Sequence, residues 1–85
     1  MTYTLIWANN TARTMRALRQ RDGDAVKPFA DAVNGLARNP RPSDAVQLGG
    51  TDTWRLRIGK YRAMYEIDGD HVSVTLLLIG STAVS

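Results

Sequence analysis

Three arginines, Arg55, Arg57 and Arg62, stand close together in the stretch TWRLRIGKYRAMYEID, from Thr53 to Asp68. A guanidinium stays charged at neutral pH, and its planar fork of donors matches the oxygens of a phosphate. Trp54, Leu56 and Ile58 alternate with Arg55 and Arg57, the period of a strand with one buried face. Tyr61, Ala63, Tyr65 and Ile67 alternate in the same way with Arg62, Met64, Glu66 and Asp68. Gly59-Lys60 fits a two-residue turn with glycine first. That register sets Ile58 opposite Tyr61, Arg57 opposite Arg62 and Arg55 opposite Met64, so the three guanidiniums share one face. Like charges directly opposed across a strand pair are destabilising. A chain carries that cost where the charges serve a polyanion, and phosphate is the leading candidate. The alternative is an ordinary solvated face with its long side chains splayed apart.

The elements that must hold this hairpin are legible on either side of it. Tyr3, Leu5 and Trp7 alternate with Thr2, Thr4 and Ile6 as a first strand. Asn9-Asn10-Thr11 supplies capping side chains for a helix with Ala12, Met15 and Leu18 at helical spacing. Asp22-Gly23-Asp24 breaks it and caps a second helix, whose stripe is Val26, Phe29, Ala30, Val33, Leu36 and Ala37. Pro28 is accommodated in the first turn, where its missing N–H has no intrahelical acceptor. Asn39-Pro40 ends that helix, and Ala45 to Leu48 reads as a short strand before Gly49-Gly50. With Gly69-Asp70 as a second turn, His71 to Ile79 forms the last strand. Strict alternation from that turn puts Val72, Val74, Leu76 and Leu78 on the core face, and Ser73, Thr75, Leu77 and Ile79 beside Arg62. The expected fold is α+β in the order β-α-α-β-β-β: two N-terminal helices on a mainly antiparallel sheet of four to five strands.

The chain has 85 residues, read as a single domain spanning residues 1–85 with a small core. It has no cysteine, hence no disulfide and no thiolate metal site, and no metal or organic cofactor motif is expected. No apolar run is long enough to span a membrane, and MTYTLIWANN lacks the charged-then-apolar order of a signal segment. The reading is a soluble cytoplasmic protein without a membrane partner. A net charge of +3 favours an acidic partner without choosing among RNA, DNA and protein.

Two helices, the NPRP loop at residues 39–42, a Gly-Gly pair, WRLRIGKYRAMYEID and an apolar last strand together resemble the RelE/ParE toxin superfamily. The resemblance covers nearly the whole chain and is most specific from Asn39 to Asp68. It implies the toxin of a type II toxin–antitoxin pair, with a cognate antitoxin as partner. In the RelE branch it implies an mRNA interferase, a metal-independent endoribonuclease that cleaves mRNA in the ribosomal A site. The ribosome and mRNA are then partners and translation is inhibited. The ParE branch implies inhibition of DNA gyrase, and a third possibility is an inactive toxin that only binds antitoxin. Cleavage by attack of a 2′-hydroxyl needs a base, an acid and cations for the developing charge. The resemblance assigns Arg62 as a phosphate clamp, and Arg55 and Arg57 as catalytic electrostatic stabilisers and RNA-positioning groups. Arginine is a poor proton donor because its pKa stays above about 12. Lys60, in the turn, is an RNA or ribosome contact or a solvated turn residue.

The departure from the family is at the end of the last strand. Ser81 and Thr82 stand where a His-Arg pair is expected, the tyrosine expected a few residues on is missing, and those groups serve the proton transfers. A frameshift, natural or introduced, would account for such a tail: Gly80 to Ser85 can be encoded so that a shifted frame reads Val-His-Arg-Arg-Glu, and the gene sequence is the test. His71, the only histidine, falls in the second turn. Glu66, on the arginine face, is a base or the charge partner of a neighbouring arginine. Tyr61 and Tyr65 read as packing residues.

Overall fold

A computed structural model describes residues 2–80 and 82–83. The elements are β1 (Thr4–Trp7), α1 (Thr11–Asp22), α2 (Lys27–Asn34), β2 (Ala45–Gln47), β3 (Thr53–Ile58), β4 (Tyr61–Asp68), β5 (His71–Ile79) and β6 (Thr82–Ala83). One-turn 3₁₀ segments follow each helix, at Gly23–Ala25 and Gly35–Ala37. The sheet runs β1-β5-β4-β3-β2, and the short β6 also pairs with β5. Only β1 is parallel to its neighbour, with Thr4 beside His71 and Trp7 beside Val74. Among the described residues no helix is long and apolar enough to cross a membrane.

Met15 and Leu18 of α1 and Phe29, Ala30 and Val33 of α2 are buried against one face of the sheet, as their helical spacing requires. Pro28 lies in the first turn of α2. The helical stripe continues past Asn34 because Leu36, fully buried, is carried on the 3₁₀ turn. Capping of α1 differs from expectation. Asn10 makes no side-chain cap bond. Instead Thr11, one residue later, donates its hydroxyl to the Ala8 carbonyl at 2.6 Å.

Both hairpin turns have the expected two residues. Gly59 and Gly69, each first in its turn, have φ of 61° and 60°, a region that a side chain with a Cβ enters only at a cost. The β3–β4 register is the one the alternation predicts, with Ile58 opposite Tyr61 and Arg57 opposite Arg62.

The last strand departs from strict alternation. Its pairing with β4 holds from Asp68–His71 to Tyr65–Val74, then slips, so that Met64 faces Leu76 and Tyr61 faces Ile79. Thr75 is the extra residue, and its hydroxyl donates to the Met64 carbonyl at 3.2 Å. A bulge of this kind inverts the faces beyond it. Leu77 is therefore 2 % exposed and Ile79 packs on the core, while Leu76 is 40 % exposed on the arginine side. The placement of Leu76 and Leu78 in the core is thus corrected.

Candidate nucleic-acid interface

The helices cover one face of the sheet, and Arg55, Arg57 and Arg62 project from the other. Their placement follows from the period of two: Leu56, Tyr61, Ala63 and Tyr65 are buried, and the residues between them must face outward. Arg55 lies between Met64 of β4 and Val46 of β2. Arg57 stands directly across from Arg62. Lys60 is in the adjoining turn, its Nζ 5.4 Å from the Tyr61 ring centroid.

Arg62 is the most constrained of the four. Its Nη1 donates to the carbonyl of Gly80, just past β5, and its Nε is buried without a partner among the described residues. Arg57 is exposed, and among the described residues its guanidinium reaches only the Gly59 carbonyl, at 3.4 Å from Nε. No carboxylate forms an ion pair with Arg55, Arg57 or Arg62 among the described residues.

Groups able to move a proton lie elsewhere. Tyr65 is wholly buried and donates to the Pro40 carbonyl at 2.7 Å. Burial pushes its phenol up to about 12, against a smaller downward pull from Arg41. Tyr61 is buried as well, stacked on Phe29 with ring centroids 5.3 Å apart. Its hydroxyl donates to Asp22 Oδ2 at 2.6 Å. That bond raises the phenol and lowers the Asp22 carboxyl from their ordinary values, and the neighbouring Arg21 adds to the lowering of Asp22. Glu66 is paired across the sheet with Thr53 and Ser73, and among the described residues no arginine salt bridge forms at it. It lies about 13 Å from Arg62 along β4. His71 opens β5 beside Asp68 at the far end of β4, about 24 Å from the Gly59-Lys60 turn, with Nδ1 2.8 Å from Asp70 Oδ1. Ser81, Val84 and Ser85, on which most of the tail reading falls, lie outside the described residues. Among the described residues no cluster of His, Cys, Asp or Glu could hold a metal ion.

Residues 5–84 match the family model for the ParE toxin of the type II toxin–antitoxin system parDE. The chain belongs to the ParE toxin family. No curated protein matches its sequence. Among solved structures, this ParE-family chain is similar to the toxin–antitoxin complex RelBE2 from Mycobacterium tuberculosis. The identity is 27 % and the TM-score 0.66, over 91 % of this chain and 96 % of that one. Its fold is also that of the YoeB dimer from Staphylococcus aureus, at 14 % identity and a TM-score of 0.68 over 100 % of this chain and 98 % of that one. The YoeB–YefM complex from the same organism gives 13 % and 0.66 over the same shares. The chain is thus a type II toxin of the RelE/ParE superfamily with the expected α+β fold.

Two site features of the ParE-family chain had no sequence signal. The Tyr61–Asp22 bond joins residues 39 apart. The Arg62–Gly80 contact depends on how the end of β5 lies across β4.

Proposed function

We propose that this ParE-family toxin, acting in the cytoplasm as one domain, inhibits its target by binding rather than by cleavage, with DNA gyrase as the target. The observation that carries this reading is the separation of charge from proton transfer. Arg55, Arg57 and Arg62 gather on the open sheet face, while Tyr61 and Tyr65 are sealed in the core, Glu66 lies further along β4 and His71 opens β5 at its far end. Guanidiniums bind anions well but exchange protons poorly. Losing one positioned acid or base typically costs ~10²–10⁴ in rate. Three arginines, with Lys60 at the rim, are well suited to grip an acidic protein surface or a DNA backbone held on one. A cognate antitoxin neutralises the toxin, a partner supported by the toxin–antitoxin complexes among its structural relatives.

The second reading is a ribosome-dependent mRNA interferase. The arginine face and the likeness to RelBE2 favour it. Arg62 would then clamp the scissile phosphate, with Arg55 and Arg57 stabilising the developing charge.

Two assays run side by side separate these readings. The first is DNA supercoiling by purified gyrase with increasing toxin, and the second is primer extension on mRNA in a bacterial translation extract. Inhibited supercoiling with intact mRNA is the expected result. Cleaved mRNA with unimpaired gyrase overturns it in favour of the interferase. If neither is affected, the chain only binds antitoxin.

A further inference from the structure

The cations of the open sheet face are confined to one end of it. Arg57 faces Arg62 next to the Gly59-Lys60 turn, Arg55 is the next outward position back along β3, and the exposed Lys60 forms the rim. From Arg55 to the turn is about 13 Å of strand. Asp44, whose carbonyl accepts from the Arg57 N–H, borders this end. Glu66 and Asp68, both exposed, project from the far half of β4, so a long polyanion is favoured across the strands at the turn end and disfavoured along them. A second feature is where the aromatic rings lie. Phe29, Tyr61 and Tyr65 are buried, and Tyr3, Trp7 and Trp54 pack against the same core. These are all the aromatic residues of the chain, so the arginine face carries no ring.

We propose that the polyanion taken by this face is the backbone of duplex DNA, bound through its phosphates alone and without gyrase as intermediary. This rests on the reading of the arginine face as the toxin's working surface. Proteins that hold single strands combine a basic groove with aromatic platforms on which the bases stack, and this face offers cations without platforms. A duplex keeps its bases stacked on one another and carries one charge per ~1.7 Å of axis, against one per ~3.4 Å for each strand. About 13 Å of duplex therefore presents about eight charges, enough to engage all four cations at once. Strands ~4.8 Å apart and outward residues every ~7 Å space the guanidiniums on the scale of neighbouring phosphates. Arg57 and Arg62, opposed as like charges, are both relieved by such a regular array of anions. Arg62 is already oriented by the Gly80 carbonyl, which lowers the ordering cost of a contact. Phosphate contacts carry no base information, so the binding is independent of sequence.

Fluorescence anisotropy of the full chain with labelled nucleic acids, in the absence of gyrase, tests this. For a duplex of about 20 base pairs the expected Kd is on the order of 1–100 μM near physiological salt, and log K should fall with log salt at a slope of about −3.6 for four phosphate contacts. A single-stranded RNA with the same number of phosphates should bind at least about fivefold more weakly. RNA bound as tightly as the duplex overturns the proposal, and so does a duplex left unbound at several hundred micromolar toxin. Both results come from the wild-type chain. Arg57→Gln with Lys60→Gln should weaken duplex binding at least about tenfold and reduce the slope by about 2. Arg13→Gln with Arg16→Gln, exposed on α1, removes the same net charge and should weaken binding less than about threefold. Equal losses from the two pairs overturn the assignment to this face. The supercoiling assay separates the DNA contact from the choice of target. Supercoiling inhibited by a chain that leaves the duplex unbound overturns the DNA contact and points to an acidic protein surface. Duplex bound with supercoiling unimpaired sustains the DNA contact and overturns gyrase as the target.

Discussion

Leu76 and Leu77 are adjacent, chemically identical and predicted to behave in opposite ways. The bulge at Thr75 turns Leu77 into the core, 2 % exposed, and leaves Leu76 40 % exposed on the arginine side. Replacing a buried leucine by alanine forfeits its transfer free energy and leaves a cavity, at a cost of roughly 2–5 kcal/mol. A domain of this length is stable by about 4–13 kcal/mol in total. Leu77→Ala therefore removes a large share of the stability and should lower the thermal midpoint by roughly 8–40 °C, taking about 4–8 °C per kcal/mol. Leu76→Ala should change stability by about 0.5 kcal/mol or less, as is usual at the surface. Thermal and urea unfolding followed by circular dichroism measures both. A companion deletion of Thr75 sharpens the test. Without its extra residue β5 alternates regularly, with Val74, Leu77 and Ile79 all still inward, so the deletion variant should keep a cooperative transition. Equal effects of the two leucine substitutions, or a larger loss at Leu76, would refute the bulge and the face assignment built on it.

Other consequences concern the polar contacts. Tyr61→Phe removes the bond to Asp22 and should flatten the pH dependence of stability at both extremes. Asp22 has a lowered carboxyl, so its contribution is present above the ordinary carboxylate range and lost as pH falls through the lowered value. Tyr61 has a raised phenol, so its contribution is present below about pH 10 and lost as pH rises through the raised value. Urea titrations of the wild type and variant from pH 3 to 11 measure this. Tyr65→Phe leaves the buried Pro40 carbonyl without its donor, and should cost about 1–3 kcal/mol, read from the urea midpoint. Arg57→Ala should have opposite effects on fold and function. At low salt it should stabilise the protein by about 0.2–1 kcal/mol by removing the charge facing Arg62, while weakening target inhibition about tenfold or more through loss of a charge-assisted contact. A variant that loses stability and keeps full inhibition would count against the arginine face as the working surface.

The period of two from Trp54 to Ile67 determined the hairpin, its register and the common face of the three arginines, because alternation and a two-residue glycine turn are properties of neighbouring residues. The apolar stripes of α1 and α2 were legible for the same reason, as was the placement of Tyr61 and Tyr65 in the core. Tertiary structure alone decided the rest. Strict alternation cannot reveal a bulge, because Thr75 is an acceptable strand residue and only the competition of Leu76 and Leu77 for one core site selects the slip. The parallel pairing of β1 with β5 joins segments separated by both helices and three strands, a contact no local pattern encodes. Asp22 beneath Tyr61 and the Gly80 carbonyl on Arg62 arise where distant segments meet. In each of these, side chains that are unremarkable in the sequence acquire their chemistry from neighbours that only the folded chain supplies.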